Sequence, residues 1–298
     1  MTRPKRRKFK LVGNREKWAE SHKGVNLNGL PLKLPVSTGL KQAAALQKLV
    51  GKMNSDLKKR LTKVFKNNRG YFATDASITH QLKMVLADGA GFWEAEFTKR
   101  ADSIVKRLIS DVDTLSGKSI QNSLKELSGG LKLSNTFYTG RIREMLSAST
   151  LEAVNLIVSI PTQYFKQVET PITQLITNPK SNGLEGALDS ISKICEKYGK
   201  QTANRAKLLT LDQTRKAYAN LNRQRLQAMG ITKFKWLHMG GSVEPRQLHK
   251  RLSGQVFDFN NPPIIDERTG ERGYPATAIN CRCQMIPIYE TNAQNEMF

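Results

Sequence analysis

The sequence predicts a mainly α-helical protein, with an elongated body of long helices and a small C-terminal α+β module. Over residues 37–230, apolar residues return every three or four positions for long stretches, which is typical of amphipathic helices. After Gly230, short stretches of alternating apolar and polar residues, interrupted by Gly and Pro, replace that pattern. We therefore expect a helical body at 37–230, an α+β module at 231–290 and a tail at 291–298.

An N-terminal arm, residues 1–36, precedes the body. It combines basic residues with repeated Gly and Pro, and such a segment cannot bury enough apolar surface to order itself alone. Six basic side chains near its start are candidates for contact with nucleic-acid phosphates: Arg3, Lys5, Arg6, Arg7, Lys8 and Lys10. Two other interpretations stay open, a solvated tail and a segment that docks on a partner subunit. Alternating apolar residues over 30–36 predict either a short strand or a partner-docking stretch after the basic part of the arm.

Long helices are predicted throughout the body. The first begins at Ser37 or Thr38, which are suitable N-caps, and ends near Asn67, where Asn, Arg and Gly follow. Pro161 should break a later helix, because proline removes a helical hydrogen bond, and Pro171 should start a new segment. The predicted helices cover residues 37–67, 79–112, 119–127, 136–159 and 184–229, the last with an interruption near Gly199.

The composition narrows the class of partner. The formal net charge is +23 and the sequence pI is about 10.1, so we expect a polyanion, either nucleic acid or an anionic membrane. No uninterrupted apolar run approaches the ~20 residues of a membrane span, and no apolar segment follows the basic N-terminus as in a secretory signal. Three cysteines, an odd number, argue against a disulfide framework. These features predict a soluble protein made in a reducing compartment, without a membrane span.

The C-terminal module combines three predicted strands with one short helix. The strands are predicted at 231–239, 256–259 and 282–289, and the helix at 245–252. Clusters of Asn, Pro, Thr and Gly predict loops at 260–263 and 269–273.

His249, Cys281 and Cys283 bring zinc-type ligands into this module. Imidazole and thiolate are ligands that Zn²⁺ prefers, and His238 or Asp258 could complete the set. The C-x-C spacing argues against such a site, because structural zinc sites usually place two residues between paired cysteines. A second interpretation stays open, in which both cysteines are small buried residues with His249 hydrogen-bonded nearby. No cofactor is required by the sequence, and a structural zinc ion is the candidate.

A catalytic role is the alternative class of function. A cysteine thiolate beside the His249 imidazole would form a nucleophilic pair. Asp212, Glu244 and Arg246 could belong to a phosphodiesterase or transferase site. A two-metal nuclease needs clustered carboxylates, whereas the acidic residues of the module lie mostly in the loop region. We therefore expect no enzymatic activity, and we interpret Arg246 and Arg282 as buried or bidentate structural contacts.

A longer ordered pattern runs through the last third of the chain. It joins a helix, a strand with Trp, a Pro pair and the C-x-C segment, through Thr214, Ala217, Tyr218, Asn220, Gly230, Trp236, Arg246, His249, Leu252, Gly254, Val256, Pro262, Pro263, Asn280, Cys281, Arg282, Cys283 and Pro287. This pattern resembles the phage Mu F-like minor head proteins, also called phage head morphogenesis proteins, and the combination is more specific than any short motif. Two positions depart from it. Gln213 stands where many relatives carry an acidic residue, and Ser242 where many carry Asp.

The resemblance implies a minor virion component, present in few copies inside the head and incorporated during procapsid assembly. Its implied partners are the portal protein, the major capsid or scaffolding protein, and packaged double-stranded DNA, with a part in genome packaging or ejection. The implied location is the head interior near the portal, after assembly in the host cytoplasm. The positive charge agrees with a surface that faces confined DNA. The alternative is a basic enzyme or transferase acting on nucleic acid that carries a head-morphogenesis-like module.

Overall fold

The computed structural model describes residues 26–68, 76–124, 140–177, 183–240 and 246–290. The helices in these ranges are α1 (Val36–Asn67), α2 (Ala76–Leu124), α3 (Gly140–Thr177), α4 (Gly183–Ala228) and α5 (Gln247–Arg251). The strands are β1 (Asn26–Asn28), β2 (Lys233–Leu237), β3 (Val256–Asp258), β4 (Ile264–Asp266), β5 (Glu271–Arg272) and β6 (Gln284–Glu290). The predicted fold class, mainly α with long helices and a small C-terminal α+β module, is confirmed.

The described residues fall into two compact units. The helical unit comprises the described parts of 37–108 and 149–213, and the mixed unit those of 1–36, 109–148 and 214–298. Helices α2, α3 and α4 each contribute residues to both units, whereas every described strand belongs to the mixed unit. This division differs from the predicted one, in which 37–230 forms a single body.

Helix α1 is amphipathic. Its apolar positions, among them Leu46 and Met53, recur every three or four residues and are fully buried in the helical unit. Full burial of each such side chain stabilises the fold by roughly 1.5–3 kcal/mol. The helix ends at Asn67, as predicted, and begins at Val36, one residue before the predicted cap at Ser37.

Helix α2 runs without a break to its last residue. The predicted end at residue 112 and the separate helix at 119–127 are therefore wrong. The Ser- and Gly-containing stretch after residue 112 suggested a loop, but Ser116 is fully buried and donates a hydrogen bond to Oδ1 of Asn222 at 2.6 Å. Tertiary contacts therefore stabilise the helix where its local propensity is weak.

Helix α3 runs through both of its prolines, so the predicted break at Pro161 and restart at Pro171 are wrong. A proline inside a helix costs about 3 kcal/mol through the lost hydrogen bond and a backbone clash. Buried side chains on both sides of Pro161 offset this cost: Ile157, Ile160, Tyr164, Phe165, Val168 and Ile172. Tyr164 also donates a hydrogen bond to Oδ1 of Asn54, on α1, at 2.6 Å. Packing within the helical unit overrides local propensity here.

By length and composition, α3 is also the one helix among the described residues that could cross a membrane, over Gly140–Leu175. In its most apolar stretch, 22% of the residues are buried. Core helices of soluble proteins can meet the same criteria, so the absence of a membrane span stays a prediction.

Helix α4 runs through Gly199, and the predicted interruption there is wrong. This glycine serves close packing, because a Cβ atom at its position would lie 2.6 Å from the side chain of Asn54 on α1. A Cβ atom at Gly89 of α2 would similarly lie 2.8 Å from the ring of Phe165 on α3. Both glycines let pairs of helices in the helical unit approach closely.

The mixed unit is built on a four-stranded antiparallel sheet in the order β1-β6-β2-β3. Strands β2, β3 and β6 agree with the predicted strands to within two residues at each end. The strand predicted at 30–36 is wrong, because β1 lies earlier and pairs with the end of β6. Residues 26–28 of the predicted arm thus belong to the C-terminal sheet.

Two further details of the mixed unit were not predicted. Strands β4 and β5 form a second, two-stranded sheet, and β5 lies within a predicted loop. Ser123, near the end of α2, donates a hydrogen bond to the carbonyl oxygen of Leu30 at 2.6 Å. The end of α2 is therefore tied to the segment that follows β1.

Candidate metal centre

Short elements of the mixed unit carry the predicted zinc-type ligands. Helix α5 holds His249, and the segment just before β6 holds Cys281 and Cys283. Left-handed backbone conformations redirect the chain beside both segments, at Gly254 (φ +85°) and at Asn280 (φ +57°). Glycine adopts this conformation without steric cost, and Asn does so more readily than most residues. Gly254 and Asn280 of the predicted motif therefore have a backbone role.

The three side chains lie together. Nδ1 of His249 is 3.5 Å from Sγ of Cys281 and 3.7 Å from Sγ of Cys283. The three ligand atoms all lie within 4.8 Å of one another. In a tetrahedral site with Zn–S of about 2.3 Å and Zn–N of about 2.0 Å, nitrogen and sulfur would lie about 3.5 Å apart. The group could therefore hold a metal ion.

His249 is oriented from two sides. Its Nε2 atom lies 3.2 Å from the carbonyl oxygen of Ile265, on β4. Because a carbonyl only accepts hydrogen bonds, the neutral ring carries its proton on Nε2 and presents the Nδ1 lone pair to the sulfurs. The indole of Trp236 packs edge-to-face against the imidazole, with ring centroids 5.2 Å apart. Metal-binding histidines commonly donate their outer N–H to a carbonyl in this way.

The cluster is buried and its thiols are coupled. The exposed fractions of His249, Cys281 and Cys283 are 2%, 3% and 2%. A hydrogen bond from Cys283 lowers the pKa of Cys281, and burial opposes this effect. The same contact, together with burial, raises the pKa of Cys283. Of the two thiols, Cys281 is therefore the one that loses its proton more readily, and the thiolate is the form of sulfur that binds metals.

Of the two residues predicted as a fourth ligand, His238 lies beside the cluster. Its Nδ1 atom is 3.5 Å from Sγ of Cys283. Asp258 instead lies on β3 opposite Lys233, and its carboxylate accepts a hydrogen bond from the backbone N–H of Asn260 at 2.6 Å.

The remaining apolar residues of the predicted motif lie in the same unit. Trp236 is fully buried, Pro263 and Pro287 are buried, and Pro262 is half-buried. Pro287 stands opposite Phe234 in the sheet. These residues form part of the core of the mixed unit.

The two motif arginines lie at the surface. Arg246 and Arg282 are both exposed, so the buried alternative of their predicted contacts is wrong. Arg246 does bind a carbonyl, because its Nη1 donates to the oxygen of Ile279 at 3.0 Å. A two-pronged contact of the predicted kind is made by Arg225, which donates to the backbone oxygen of Asp113 at 2.8 Å and to its carboxylate at 2.7 Å.

Sequence reasoning missed the backbone groups that contact the cluster. The Ile265 carbonyl orients His249. The N–H of Ala276 donates to Sγ of Cys281 at 3.4 Å from a left-handed conformation (φ +70°), and the backbone of Met239 hydrogen-bonds to Cys283. Such groups have no signal in the sequence, because any residue type supplies a carbonyl and nearly any supplies an N–H.

The predicted nucleic-acid contacts lie outside the described residues: Arg3, Lys5, Arg6, Arg7, Lys8 and Lys10. They stay a prediction. Of the pattern residues on α4, Thr214, Ala217 and Tyr218 are buried and Asn220 is half-buried.

Comparison with known proteins finds a bacterial relative. The chain is 25% identical over 268 residues to an uncharacterized protein of Haemophilus influenzae. The match covers 89% of this chain and 56% of the relative, so the chain spans about half the length of that protein. No protein-family model and no solved structure matches the chain. The resemblance to phage head proteins therefore rests on the motif residues.

Proposed function

We propose that this chain is a minor head protein of a phage-type particle, without enzymatic activity, which associates with the portal during procapsid assembly. The observation that carries the proposal is the convergence of motif residues on one buried cluster. Trp236, His249 and the two cysteines come from separate elements, yet they pack together. This convergence supports the interpretation of the scattered motif as one structural module.

Burial of the cluster favours a structural role over a catalytic one. A nucleophilic thiolate–imidazole pair must reach its substrate, and reactive cysteines are partly exposed. Here His249, Cys281 and Cys283 are each at least 97% buried. His249 also has both ring nitrogens engaged, one by the Ile265 carbonyl and one by sulfur.

The metal of this module is a structural zinc ion held by His249, Cys281 and Cys283. Thiolate and imidazole are the ligands that zinc prefers, and the nitrogen–sulfur distances of 3.5 and 3.7 Å suit tetrahedral coordination. The ion would tie α5 to the start of β6. Because the unfolded chain has no assembled site, the free energy of zinc binding would stabilise the folded module. Total-metal analysis of the purified full chain should find one zinc per chain, and no stoichiometric zinc would refute this part.

Positive charge supplies the proposed contact with packaged DNA. A net charge of +23 on one chain is suited to a surface inside a head filled with phosphate. The N-terminal basic residues, Arg3 to Lys10, would contribute to this contact. In this proposal the protein stays near the portal, in few copies, and assists genome packaging or delivery.

Co-purification with the portal protein of the same particle tests the assembly role. The wild-type chain and the His80→Ala variant, whose histidine lies on the exposed side of α2, should both purify with the oligomeric portal ring. Failure of both to do so would contradict the proposed association. A nuclease assay with added divalent metals separates the enzyme alternative. A turnover activity that the His249→Ala variant loses while it stays folded would favour that alternative.

A further inference from the structure

We propose that His238 is the fourth ligand of the zinc site, so that the ion is closed off from water by two cysteines and two histidines. This inference rests on the proposed zinc ion and adds a residue to its site. Four protein ligands are the rule for structural zinc sites, whereas three protein ligands and a water are typical of catalytic ones. Identifying the fourth ligand therefore decides which class the site belongs to.

The His238 ring lies beside one sulfur of the site. Its Nδ1 atom lies 3.5 Å from Sγ of Cys283, the same separation as that between Nδ1 of His249 and Sγ of Cys281. Both values equal the nitrogen–sulfur separation of about 3.5 Å expected across a tetrahedral zinc ion. Each histidine thus contacts a cluster sulfur at ligand spacing.

Strand geometry explains why His238 reaches the cluster. Side chains two residues apart on a strand point to the same face, and Phe234 and Trp236 of β2 are both fully buried. His238 follows β2 directly and continues that face. The backbone N–H of His238 donates to the hydroxyl oxygen of Ser253 at 3.1 Å, which fixes the end of the strand.

The hydrogen bonding of His238 is incomplete without a metal. Its Nε2 atom is buried and has no hydrogen-bond partner among the residues that the structure describes. The sulfur of Cys283 is then the polar partner of the ring, and sulfur is a weak one. The His238 ring is half-buried, and such poor pairing at its Nδ1 atom is unfavourable. Coordination of zinc through Nδ1 would replace the weak contact with sulfur by a strong one.

X-ray absorption at the zinc edge, on the full chain loaded with zinc, tests the proposal. Two sulfur and two nitrogen ligands are expected for the wild type. In the His238→Ala variant, an oxygen ligand should replace one nitrogen, and zinc affinity measured by chelator competition should fall at least about tenfold. The His80→Ala variant is the matched control, because His80 is exposed on α2, and it should behave as wild type.

The outcomes separate the two proposals. A wild-type site with one nitrogen and an oxygen, or unchanged affinity in the His238→Ala variant, would overturn the role of His238 and leave the zinc ion in place. Absence of bound zinc from the wild type would overturn both.

An independent observation concerns the exposed face of α1. Seven lysines on this helix are exposed, and six of them form one stripe: Lys41, Lys48, Lys52, Lys59, Lys63 and Lys66. With an advance of about 100° per residue, all six fall within an arc of about 60° on the helix surface. At ~1.5 Å per residue, this lysine stripe is about 37 Å long. No residue in the described ranges forms a salt bridge with any of the six.

The excess of basic over acidic residues differs between helices. Helix α1 carries eight basic residues against one acidic residue, Asp56, whereas α2 carries six of each. Asp56 is itself engaged, since it accepts hydrogen bonds from Arg60 and from the indole N–H of Trp93, both at 2.8 Å. The stripe is therefore not neutralised by its own helix.

We infer that the lysine stripe binds the phosphate backbone of double-stranded DNA. A straight row of point charges matches the regular phosphates of a duplex. A membrane-surface helix would add large apolar side chains beside the charges, but the exposed neighbours Ala45 and Ser55 are small. Single-stranded nucleic acid would call for aromatic stacking partners beside the charges, and the exposed neighbours Ala45 and Ser55 are not aromatic. That this DNA is the packaged genome rests on the proposed function. That the stripe binds a duplex rests on the positions of its six lysines.

Salt-dependent binding of the full chain to a short mixed-sequence DNA duplex tests this inference. Each phosphate contact contributes about 0.9 to the slope of log affinity against log salt concentration. Replacing Lys52, Lys59 and Lys63 by Gln should therefore lower the slope by about 2.7. The matched control replaces Lys83, Lys99 and Lys106 of α2 by Gln, which removes the same charge from exposed positions. That control should leave the slope close to wild type.

Equal slopes for the two triple variants would overturn the role of the stripe. So would a stripe variant that keeps duplex binding but loses binding to vesicles containing phosphatidylserine. Neither result bears on the proposal that the chain is a minor head protein, which is tested by co-purification with the portal. Circular dichroism of both variants checks that the helices are retained.

Discussion

Nδ1 of His249 lies 3.5 Å from the sulfur of Cys281, inside a core where both side chains are almost fully buried. The contact joins α5 to the segment before β6. It is made by a ring whose other nitrogen is held by a backbone carbonyl, so the lone pair facing the sulfur is fixed in place. Metal content and stability of the mixed unit should therefore be linked.

The His249→Ala variant should lose both bound zinc and zinc-dependent stability. With free zinc at about 1,000 times the dissociation constant, linkage stabilises the folded state by about 4 kcal/mol. Denaturant unfolding with and without a chelator measures this difference. The wild type and the His80→Ala control should respond to the chelator, and the His249→Ala variant should not. A wild type whose free energy of unfolding is the same with and without the chelator would contradict the prediction.

Replacing Gly199 by Ala should destabilise the helical unit by about 1–3 kcal/mol, as overpacking does. The new Cβ would lie 2.6 Å from the side chain of Asn54, which cannot move freely because its Oδ1 accepts a hydrogen bond from buried Tyr164. Gly51→Ala is the matched control, since no atom lies within 4 Å of a Cβ there. It should be neutral or stabilising by up to about 1 kcal/mol. Equal effects in equilibrium unfolding would mean that close packing at Gly199 is unimportant.

The fold class was predictable because the helical period is long and regular. The continuity of the long helices was not predictable. Interruptions were predicted at Pro161, Pro171 and Gly199, and the helices run through all three. Proline and glycine act on the local backbone, but here each lies in a helix held by tertiary contacts. Local propensity was outweighed by packing partners distant in sequence.

Of the candidate site, only the residues whose side chains can bind zinc could be predicted from the sequence. His249, Cys281 and Cys283 were identifiable because their residue types bind zinc, and His238 was named for the same reason. The C-x-C spacing argued against a metal site, because structural zinc sites usually place two residues between paired cysteines, yet both sulfurs lie within 3.7 Å of Nδ1 of His249. The segment is redirected at Asn280, in a left-handed conformation that the sequence did not signal.

Removing the Asp113 carboxylate should destabilise the mixed unit by about 1–3 kcal/mol. Its partner Arg225 is largely buried, with side-chain exposures of 14% for Arg225 and 21% for Asp113, and would lose a charged acceptor. The Asp189→Ala variant breaks the Lys193–Asp189 pair, whose side chains are 74% and 60% exposed. That control should change the free energy of unfolding by at most about 1 kcal/mol. A double-mutant cycle on Asp113 and Arg225 that finds no coupling would contradict the prediction.

The thiol of Cys195 should make stability depend on pH in the alkaline range. Burial raises the pKa of Cys195 from 9.0 to about 11, with Lys58 opposing. Because the folded pKa is the higher one, the contribution of the neutral thiol is fully present below about pH 9 and is lost as the pH rises through about 11. The stability difference between wild type and Cys195→Val should therefore be constant up to about pH 9 and shrink above it. A difference that stays constant up to about pH 11 would show that the thiol does not titrate in this way.

The most direct test of the proposed function is the protein composition of purified particles from the source of this chain, measured by quantitative mass spectrometry. We expect this polypeptide in particles that contain the portal, at a copy number far below that of the major capsid protein. Particles that carry the portal and the genome but wholly lack this polypeptide would contradict the account.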